Sequence, residues 1–245
     1  MPANNKLTVC LSTQAGCPMK CAFCATGNKG FHKNLGYGQI LKQLNFIQQQ
    51  YKQRVSNIVL MGQGEPFLNY QNTIDFLEIA NNKNYLNIGA RHITISTCGI
   101  PEKIVEFSKI NKQFVLAVSL HSAIQDKRNI LMPGLKNYPL LKLRDALFTY
   151  QQKTNRRLTF EYIMINNLND AQTDLEALIS FCEGLHAHIN LIPLNKTDFF
   201  NKDASSDKVI KHWVSKLKAY GIEASARFSK GQDINAACGQ LANKH

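Results

Sequence analysis

The sequence predicts an α/β fold, a partial, TIM-like (β/α)6 barrel formed by a parallel sheet and the helices that cover it. Six short apolar runs alternate with six longer segments of helical periodicity. The run at 114–120 is apolar almost throughout, which is typical of a parallel strand covered on both faces. Successive βα units curl in one right-handed sense, so six of them favour a single domain over residues 1–245. A doubly wound sheet is the alternative that this pattern leaves open.

The predicted strands are short and rich in Val, Ile, Leu, Thr and Phe. They are Leu7–Thr13, Val55–Met61, His92–Thr97, Phe114–Leu120, Leu158–Ile165 and Ile189–Pro193. The helices predicted between and after them cover residues 37–52, 71–82, 101–111, 139–153, 170–184 and 206–220. In the first helix, apolar residues recur at three- and four-residue spacing from Ile40 to Ile47. We expect Asp170 to cap the start of the fifth helix and Gly221 to end the sixth.

Length and composition place the chain among globular proteins. Its 245 residues, 44% hydrophobic and 19% charged, are enough to bury a core. No run approaches about 18 apolar residues, which excludes a transmembrane helix. The first six residues lack the apolar run of a signal peptide, so we expect a cytoplasmic protein. We also expect the protein to be a monomer. The net charge of +12 favours a polyanionic partner such as RNA or DNA, with solubility alone as the alternative.

Polar and glycine-rich residues follow each of the six predicted strands. In chain order they are Gln14-Ala15-Gly16-Cys17, Gly62-Gln63-Gly64-Glu65-Pro66, Ser96-Thr97-Cys98-Gly99, Ser119-Leu120-His121-Ser122, Asn166-Asn167 and Leu194-Asn195. The carboxyl ends of parallel barrel strands gather at one rim, where barrel enzymes place their chemistry. We therefore predict the functional site at this rim.

Three closely spaced cysteines carry the strongest chemical signal. Cys17, Cys21 and Cys24 form a C-x-x-x-C-x-x-C pattern, in a chain whose seven cysteines argue against a disulfide scaffold. Three thiolates on a tight loop can hold three irons of a [4Fe–4S] cluster and leave the fourth iron open to a small ligand. Zinc is the alternative, but a structural zinc site needs four ligands, and the sequence has no second C-x-x-C pair.

The cysteine spacing resembles that of the radical SAM superfamily, whose open iron binds S-adenosylmethionine (SAM). Gly64-Glu65-Pro66, after the second strand, is similar to the segment that faces the SAM amino group in that superfamily. Gly64 would let the backbone approach the ligand, and Glu65 would supply a carboxylate for an ammonium group. By itself, Gly-Glu-Pro could equally be a polar turn at a strand end.

Further motifs narrow the resemblance to the RlmN/Cfr family, whose members methylate adenosine carbon atoms in RNA by radical chemistry. These motifs are Cys10-Leu-Ser-Thr-Gln-Ala-Gly-Cys17, Gly30-Phe31 with Asn34-Leu35, Met61-Gly-Gln-Gly-Glu-Pro66, Ser119-Leu120-His121, Ile192-Pro193-Leu194-Asn195 and Gly231-Gln-Asp-Ile-Asn-Ala-Ala-Cys-Gly-Gln-Leu241. They are closer to the RlmN type, which implies methylation of carbon 2 in large-subunit rRNA, with tRNA as a further candidate substrate. The Cfr type, which methylates carbon 8, is the alternative.

The resemblance also implies roles for individual residues. Cys238 matches a cysteine that accepts a methyl group from one SAM and passes it to adenine in a reaction that uses a second SAM. Cys10 matches the thiol that releases the product by forming a disulfide with that cysteine. The implied SAM contacts are Gly64, Glu65, Ser96, Ser119, Leu120, His121 and Asn195. An electron donor such as flavodoxin is implied as a partner.

The chain departs from the family at its beginning. Family members carry a small RNA-binding domain and a segment with a proposed catalytic glutamate there, whereas nine residues, none acidic, precede Cys10. A gene fragment, a short paralogue with a separate RNA-binding partner, or an altered target would each explain this. The competing hypotheses are a non-catalytic RNA-binding or regulatory paralogue and another radical SAM enzyme, such as an activase. Cys98, Cys182, His186 and His188 are interpreted as structural residues.

Overall fold

The computed structural model describes residues 2–3, 6–227 and 239–241. Its strands are β1 (Pro2–Ala3), β2 (Lys6–Cys10), β3 (Gln14–Gly16), β4 (Phe31–Asn34), β5 (Val55–Leu60), β6 (Ile93–Thr97), β7 (Val115–Ser119), β8 (Leu158–Met164), β9 (Ala187–Pro193) and β10 (Glu223–Ala226). Its α-helices are α1 (Ala25–Asn28), α2 (Tyr37–Tyr51), α3 (Tyr70–Asn81), α4 (Pro101–Phe107), α5 (Gln125–Leu131), α6 (Leu140–Thr154), α7 (Gln172–Cys182) and α8 (Asp207–Ala219). Short 3₁₀ turns cover Pro66–Asn69, Ala90–His92 and Pro133–Leu135.

A single eight-stranded sheet forms the frame, in the order β1-β2-β5-β6-β7-β8-β9-β10. All neighbouring pairs from β2 to β10 are parallel, and only β1 is antiparallel to its neighbour. Within the described residues, β2 and β10 do not pair with each other, so the barrel is open between them. The predicted α/β partial barrel is therefore confirmed.

The structure adds elements that the sequence does not predict. A seventh parallel strand, β10, has the sequence Glu-Ala-Ser-Ala and lacks the apolar run that marks the other strands. The run predicted as Leu7–Thr13 leaves the sheet after Cys10, and β3 then pairs with β4 as a separate two-stranded sheet. Helices α1 and α5, of four and seven residues, are also absent from the sequence prediction.

The two predicted helix boundaries have different outcomes. The prediction that Asp170 caps the fifth helix is wrong, because Ala171 is the N-cap of α7. The Asp170 carboxylate instead accepts hydrogen bonds from the backbone of Asn167 and the hydroxyl of Ser205, which hold the preceding loop. Gly221 has φ +74 directly after α8, and its N–H donates to the carbonyl of Lys218, so its predicted role in ending that helix is confirmed.

The sheet has an apolar outer face and a more polar inner face. In β2, Leu7 and Val9 are buried while Thr8 and Cys10 are exposed, and β6 alternates in the same way. The buried side chains of the strands pack with those of the helices, as Tyr162 does with Trp213 of α8 at a ring-centroid distance of 5.4 Å. The apolar faces are thus used for the core, and the concave face is available for polar ligands. No helix in the described part is long and apolar enough to cross a membrane.

A buried amide joins the ends of β7 and β8. Asn169 is fully buried, and its Nδ2 donates to the carbonyl oxygens of His121 and Ile163, both at 2.7 Å. Its Oδ1 accepts from the backbone N–H of Ile165 at 2.9 Å, and its own carbonyl accepts from the hydroxyl of Tyr162. These bonds fix the loop after β7 against the end of β8.

Asn169→Ala should lower the free energy of unfolding by about 3 kcal/mol, because three buried backbone groups lose their partner. The exposed Asn111→Ala, a matched control, should change it by less than about 0.5 kcal/mol. Urea unfolding followed by circular dichroism measures both. Equal effects of the two substitutions would contradict the role assigned to Asn169.

Candidate active site

The three motif cysteines lie on the loop that leads from β3 into α1. Cys17 follows β3 directly, and its N–H donates to the carbonyl of Gly30 at 2.9 Å. The N–H of Cys24 donates to the carbonyl of Cys21 at 3.1 Å, which tightens the turn before α1. All three cysteines are partly buried, with free thiols. We call residues 17–24 the cysteine loop.

The thiols of the cysteine loop are in an environment that disfavours their ionisation without a bound cation. Burial raises the pKa of Cys17 to about 12, and the carboxylate of Glu65 and the neighbouring thiol of Cys24 add to this effect. Burial likewise raises the pKa of Cys21 well above its ordinary value, and the charge of Arg128 opposes the shift. A cationic metal centre would compensate this penalty on the thiolates.

The donor set fits a [4Fe–4S] cluster better than a single metal ion. Among the described residues, no three His, Cys, Asp or Glu side chains converge closely enough to hold one ion. A cluster binds each thiolate through a different iron, so its ligands need not converge on a single point. Zinc would also require a fourth ligand beside the three thiols.

The Gly64-Glu65 segment lies against the cysteine loop. The backbone of Gly64 hydrogen-bonds with the thiol of Cys17 and lowers its pKa slightly against the effect of burial. Gly64 has φ +103, and a Cβ atom there would lie 2.5 Å from Cβ of Gln14. The N–H of Glu65 donates to Oε1 of Gln14 at 2.8 Å. Glycine at position 64 is therefore required both by the backbone angle and by the contact with β3.

The carboxylate of Glu65 is held by the protein itself. Its side chain is 3% exposed; Oε1 accepts from the N–H of Phe67 and from the hydroxyl of Thr97, at 3.0 and 2.6 Å. Oε2 accepts from the N–H of Cys98 at 2.6 Å. Burial still raises the pKa of this carboxyl group, although the three hydrogen bonds oppose the shift. The carboxylate of Glu65 therefore already orders the segments that follow β5 and β6. An ammonium ligand would be a further hydrogen-bond donor to this same carboxylate.

A polar row crosses the concave face below the rim. Ser119 of β7, Glu161 of β8, Asn190 of β9 and Ser225 of β10 are register partners in turn. Asn190 Nδ2 donates to Oε1 of Glu161 at 3.0 Å, and the hydroxyl of Ser225 donates to Oδ1 of Asn190 at 3.2 Å. Glu161 is 5% exposed, and its Oε2 has no hydrogen-bond partner among the described residues. Sequence reasoning missed Glu161, because it lies inside a predicted apolar strand.

His121 is a fixed, neutral side chain at the end of β7. Its φ of +57 is unusual for a residue with a Cβ, and its Nδ1 accepts the backbone N–H of Ile163 at 3.1 Å. Its ring packs edge-to-face on Phe23 of the cysteine loop, with centroids 4.9 Å apart. Burial lowers the pKa of His121 to about 3, and the charge of Arg128 contributes to the shift. The proton of the neutral ring therefore lies on Nε2.

The two cysteines predicted to act directly in catalysis lie at different ends of the chain. Cys10 is the last residue of β2, and the residue as a whole is exposed. Its thiol group is nevertheless desolvated, which raises its pKa, and the charge of Arg227 opposes this shift. Cys238 lies outside the described residues. Gly239, which follows it, accepts a hydrogen bond from the N–H of Ala25 at 2.8 Å, so this part of the C-terminal motif contacts the end of the cysteine loop.

The structure thus brings most of the predicted site residues to one rim. The backbone of Gly64 contacts Cys17, the charge of Glu65 acts on the same thiol, and His121 contacts the cysteine loop through Phe23. Asn195 is buried just beyond the end of β9, and the next residue, Lys196, accepts a hydrogen bond from the side chain of Gln240 at 3.0 Å. Ser96 and Leu120 lie on or directly after β6 and β7, with Leu120 fully buried. Cys98 and Cys182 are buried, as expected of structural residues.

Comparisons with known proteins agree with this geometry. Residues 11–180 match the family model of the Radical SAM superfamily. A Clostridium beijerinckii protein named "Probable dual-specificity RNA methyltransferase RlmN" is 45% identical over 238 residues, covering 97% of this chain and 67% of that protein. A Clostridioides difficile protein of the same name is 43% identical over 245 residues, covering 100% of this chain and 71% of the relative. A solved radical SAM methyltransferase from Sphaerobacter thermophilus has a TM-score of 0.94 at 40% identity, covering 100% of this chain and 72% of its own.

The contact of Gly64 with β3 predicts a specific loss of stability. Gly64→Ala and Gly221→Ala both place a Cβ at positive φ, but only the former meets another atom, since nothing lies within 4 Å at Gly221. We expect Gly221→Ala to cost about 1 kcal/mol and Gly64→Ala about 2 kcal/mol more, from strain and overlap. Chemical unfolding of the two variants measures the difference. Equal losses would show that the contact with Gln14 relaxes without cost.

The neutral state of His121 predicts a pH dependence of stability. Its pKa is about 3 in the folded protein against an ordinary 6.5, so the unfolded chain binds more protons between these values. This group therefore removes stability as the pH falls from 6.5 towards 3, by at most about 1.4 kcal/mol per pH unit. His121→Asn, which tolerates positive φ, should lack this contribution. Unfolding midpoints of both proteins across this range test it, and parallel pH profiles would contradict it.

Proposed function

This chain belongs to the RlmN family of radical SAM RNA methyltransferases, and we propose that it methylates carbon 2 of adenosine in large-subunit rRNA, with tRNA as a further substrate. The observation that carries the proposal is the convergence of three family motifs on the cysteine loop. Gly64 contacts Cys17, His121 packs on Phe23, and Gly239 binds Ala25 at the end of the loop. These contacts support a single site that joins the cluster ligands, the proposed SAM-binding rim and residues 239–241 of the C-terminal motif.

The family and the three thiols of the cysteine loop together imply two cofactors, an iron–sulfur cluster and SAM. Cys17, Cys21 and Cys24 would hold a [4Fe–4S] cluster. The proposed SAM contacts are Gly64, Glu65, Ser96, Ser119, Leu120, His121 and Asn195, which lie along one rim. When bound, the reduced cluster and SAM supply a carbon radical able to take a hydrogen atom. The chain orders this site through buried side chains that hydrogen-bond to the strand ends, and it partly buries the thiols of the loop.

Cys238 and Cys10 are proposed as the methyl carrier and the resolving thiol, with two SAM molecules used per turnover. A thiolate suits both roles, because it attacks a methyl donor and also forms disulfides. The anchoring of Gly239 and Gln240 beside the cysteine loop and Lys196 supports the first assignment. The position of Cys10 at the end of β2 supports the second, together with the charge of Arg227, which lowers the pKa that burial of the thiol raises.

An RNA substrate is consistent with the surface beside the cysteine loop. A cavity of about 600 Å³ lies there, lined among others by Lys20, Lys29 and Phe199. Phe199 is 47% exposed, and the nearby β4 presents Phe31 and Lys33 to solvent. Cations that neutralise phosphate, next to aromatic rings on which bases stack, are typical of surfaces that bind unpaired nucleotides. A separate electron donor, such as flavodoxin, and a monomeric state complete the proposal.

Anaerobic reconstitution with iron and sulfide tests the proposed function. The wild-type protein should bind four irons per chain and, once reduced by dithionite, release 5′-deoxyadenosine from SAM. Cys17→Ala should lose the cluster and this activity, because one of three ligands is missing. Cys182→Ala, which removes a buried thiol of α7, is the matched control and should keep both. Iron analysis and chromatography of the nucleoside measure the outcomes.

Two further measurements separate the steps of the proposal. Peptide mass spectrometry should find a methyl group on Cys238 in protein expressed with iron, and Cys238→Ala should abolish RNA methylation. Chromatography of digested rRNA should show 2-methyladenosine, whereas 8-methyladenosine would overturn the assignment of the carbon atom. A loaded cluster that cleaves no SAM would show a binding paralogue instead of an enzyme.

A further inference from the structure

Arg128 is a buried cation at the centre of the site. It lies on α5, is 0% exposed, and projects between the loops that follow β6 and β7. Its Nε donates to the carbonyl of Leu120 at 3.2 Å, and Nη2 donates to the carbonyl of Cys98 at 2.5 Å. Nη1 is buried and has no hydrogen-bond partner among the described residues. The guanidinium is therefore held in place by two hydrogen bonds, while its Nη1 group lacks an acceptor among the described residues.

No carboxylate in the described part of the chain forms an ion pair with Arg128. Its neighbour Lys127, by contrast, pairs with Asp174 of α7 at 2.7 Å. The negative charges that would favour the charged form of Arg128 are those of Cys98 and Cys21 once their thiols are ionised. A buried charge without a counter-ion is strongly destabilising, so its presence here requires an explanation other than stability. The negative charge that three ionised thiols would place at the cysteine loop offers such an explanation.

We propose that Arg128 raises the reduction potential of the [4Fe–4S] cluster held by Cys17, Cys21 and Cys24, acting as its buried counter-charge. The inference rests on the proposed function, since it requires that the cluster binds. Arg128 is a positioning residue in this role. It contacts the loops that carry the site and acts on the cluster through its electric field.

The charge balance gives the direction of the effect. Three thiolates and an oxidised 2+ core carry a net charge of about −1, and one electron from dithionite or a reduced flavodoxin changes this to about −2. A fixed cation in a buried, low-dielectric site stabilises the more negative state more strongly. Helix α5, which carries Arg128, is bound to the cysteine loop, because the N–H of Ala22 donates to the carbonyl of Leu131 at 2.9 Å. Removing the charge of Arg128 should therefore make the cluster harder to reduce.

The alternative is that Arg128 acts only as an anchor for the carbonyls of Leu120 and Cys98. A neutral side chain of similar shape that donates hydrogen bonds could then replace Arg128. The reduction potential of the cluster would not depend on the charge of the side chain. The orphaned Nη1 argues against this alternative, since an anchor needs no further buried donor. Substitutions that separate charge from shape decide between the two.

The test is a redox titration of the reconstituted proteins, followed by electron paramagnetic resonance of the reduced cluster. In Arg128→Gln, the equilibrium constant for reduction should fall at least about tenfold, which is about 59 mV for a one-electron couple. Arg128→Lys keeps the charge and should stay within about threefold of the wild type, which is under half of that shift in potential. Lys136→Gln, which removes an exposed charge after the turn Pro133–Leu135, is the control and should also stay within about threefold, because solvent screens it.

Each outcome decides the inference. A wild-type potential in Arg128→Gln, or equal shifts in the Gln and Lys variants, would overturn it. If the Gln variant binds no cluster, the Lys variant decides. A loaded cluster at the wild-type potential supports the role of the charge. Failure of the Lys variant to load the cluster overturns the inference, because it shows that the shape of the side chain matters and its charge alone does not suffice. A wild-type protein that binds no cluster would instead overturn the proposed function itself, and this inference with it.

Discussion

Hydrogen bonds from buried polar side chains to the backbone at the strand ends hold the functional rim together. Glu65, Arg128, His121 and Asn169 are all buried, and each bonds to backbone groups of neighbouring loops or strands. Buried polar groups that lack partners are costly, so these side chains specify where the loops lie relative to one another. The positions of the cysteine loop and of the rim residues depend on this network.

This arrangement leaves the concave face free to take a polar ligand. The helices cover the apolar side chains on the outer face, and the inner face carries the row from Ser119 through Glu161 and Asn190 to Ser225. Most of the polar atoms in this row bond to their neighbours in the row. An open barrel whose inner face is polar and largely internally paired can bind a polar ligand without first breaking its own core. The opening between β2 and β10 places Cys10 on the edge of that face.

The sequence was informative where a residue pattern has a local cause. Apolar runs predict the six central strands, and the spacing of the three motif cysteines predicts their common loop. It was uninformative where the cause lies in the tertiary structure. Arg128 and Asn169 look like surface residues of a short helix and a turn, and burial alone distinguishes them. Strand β10 pairs with β9 through its backbone, which requires no apolar side chains and leaves no periodic signal.

Cys98 explains how opposite charges coexist beside the thiols without neutralising each other. Its N–H donates to the carboxylate of Glu65 at 2.6 Å, and its carbonyl accepts from the guanidinium of Arg128 at 2.5 Å. The two side chains are therefore bound to opposite ends of one residue instead of to each other. A direct ion pair would have cancelled most of both fields at the cysteine loop. Held apart, the carboxylate raises the pKa of the Cys21 thiol and the guanidinium lowers it, so backbone hydrogen bonding preserves two separate fields in a small volume.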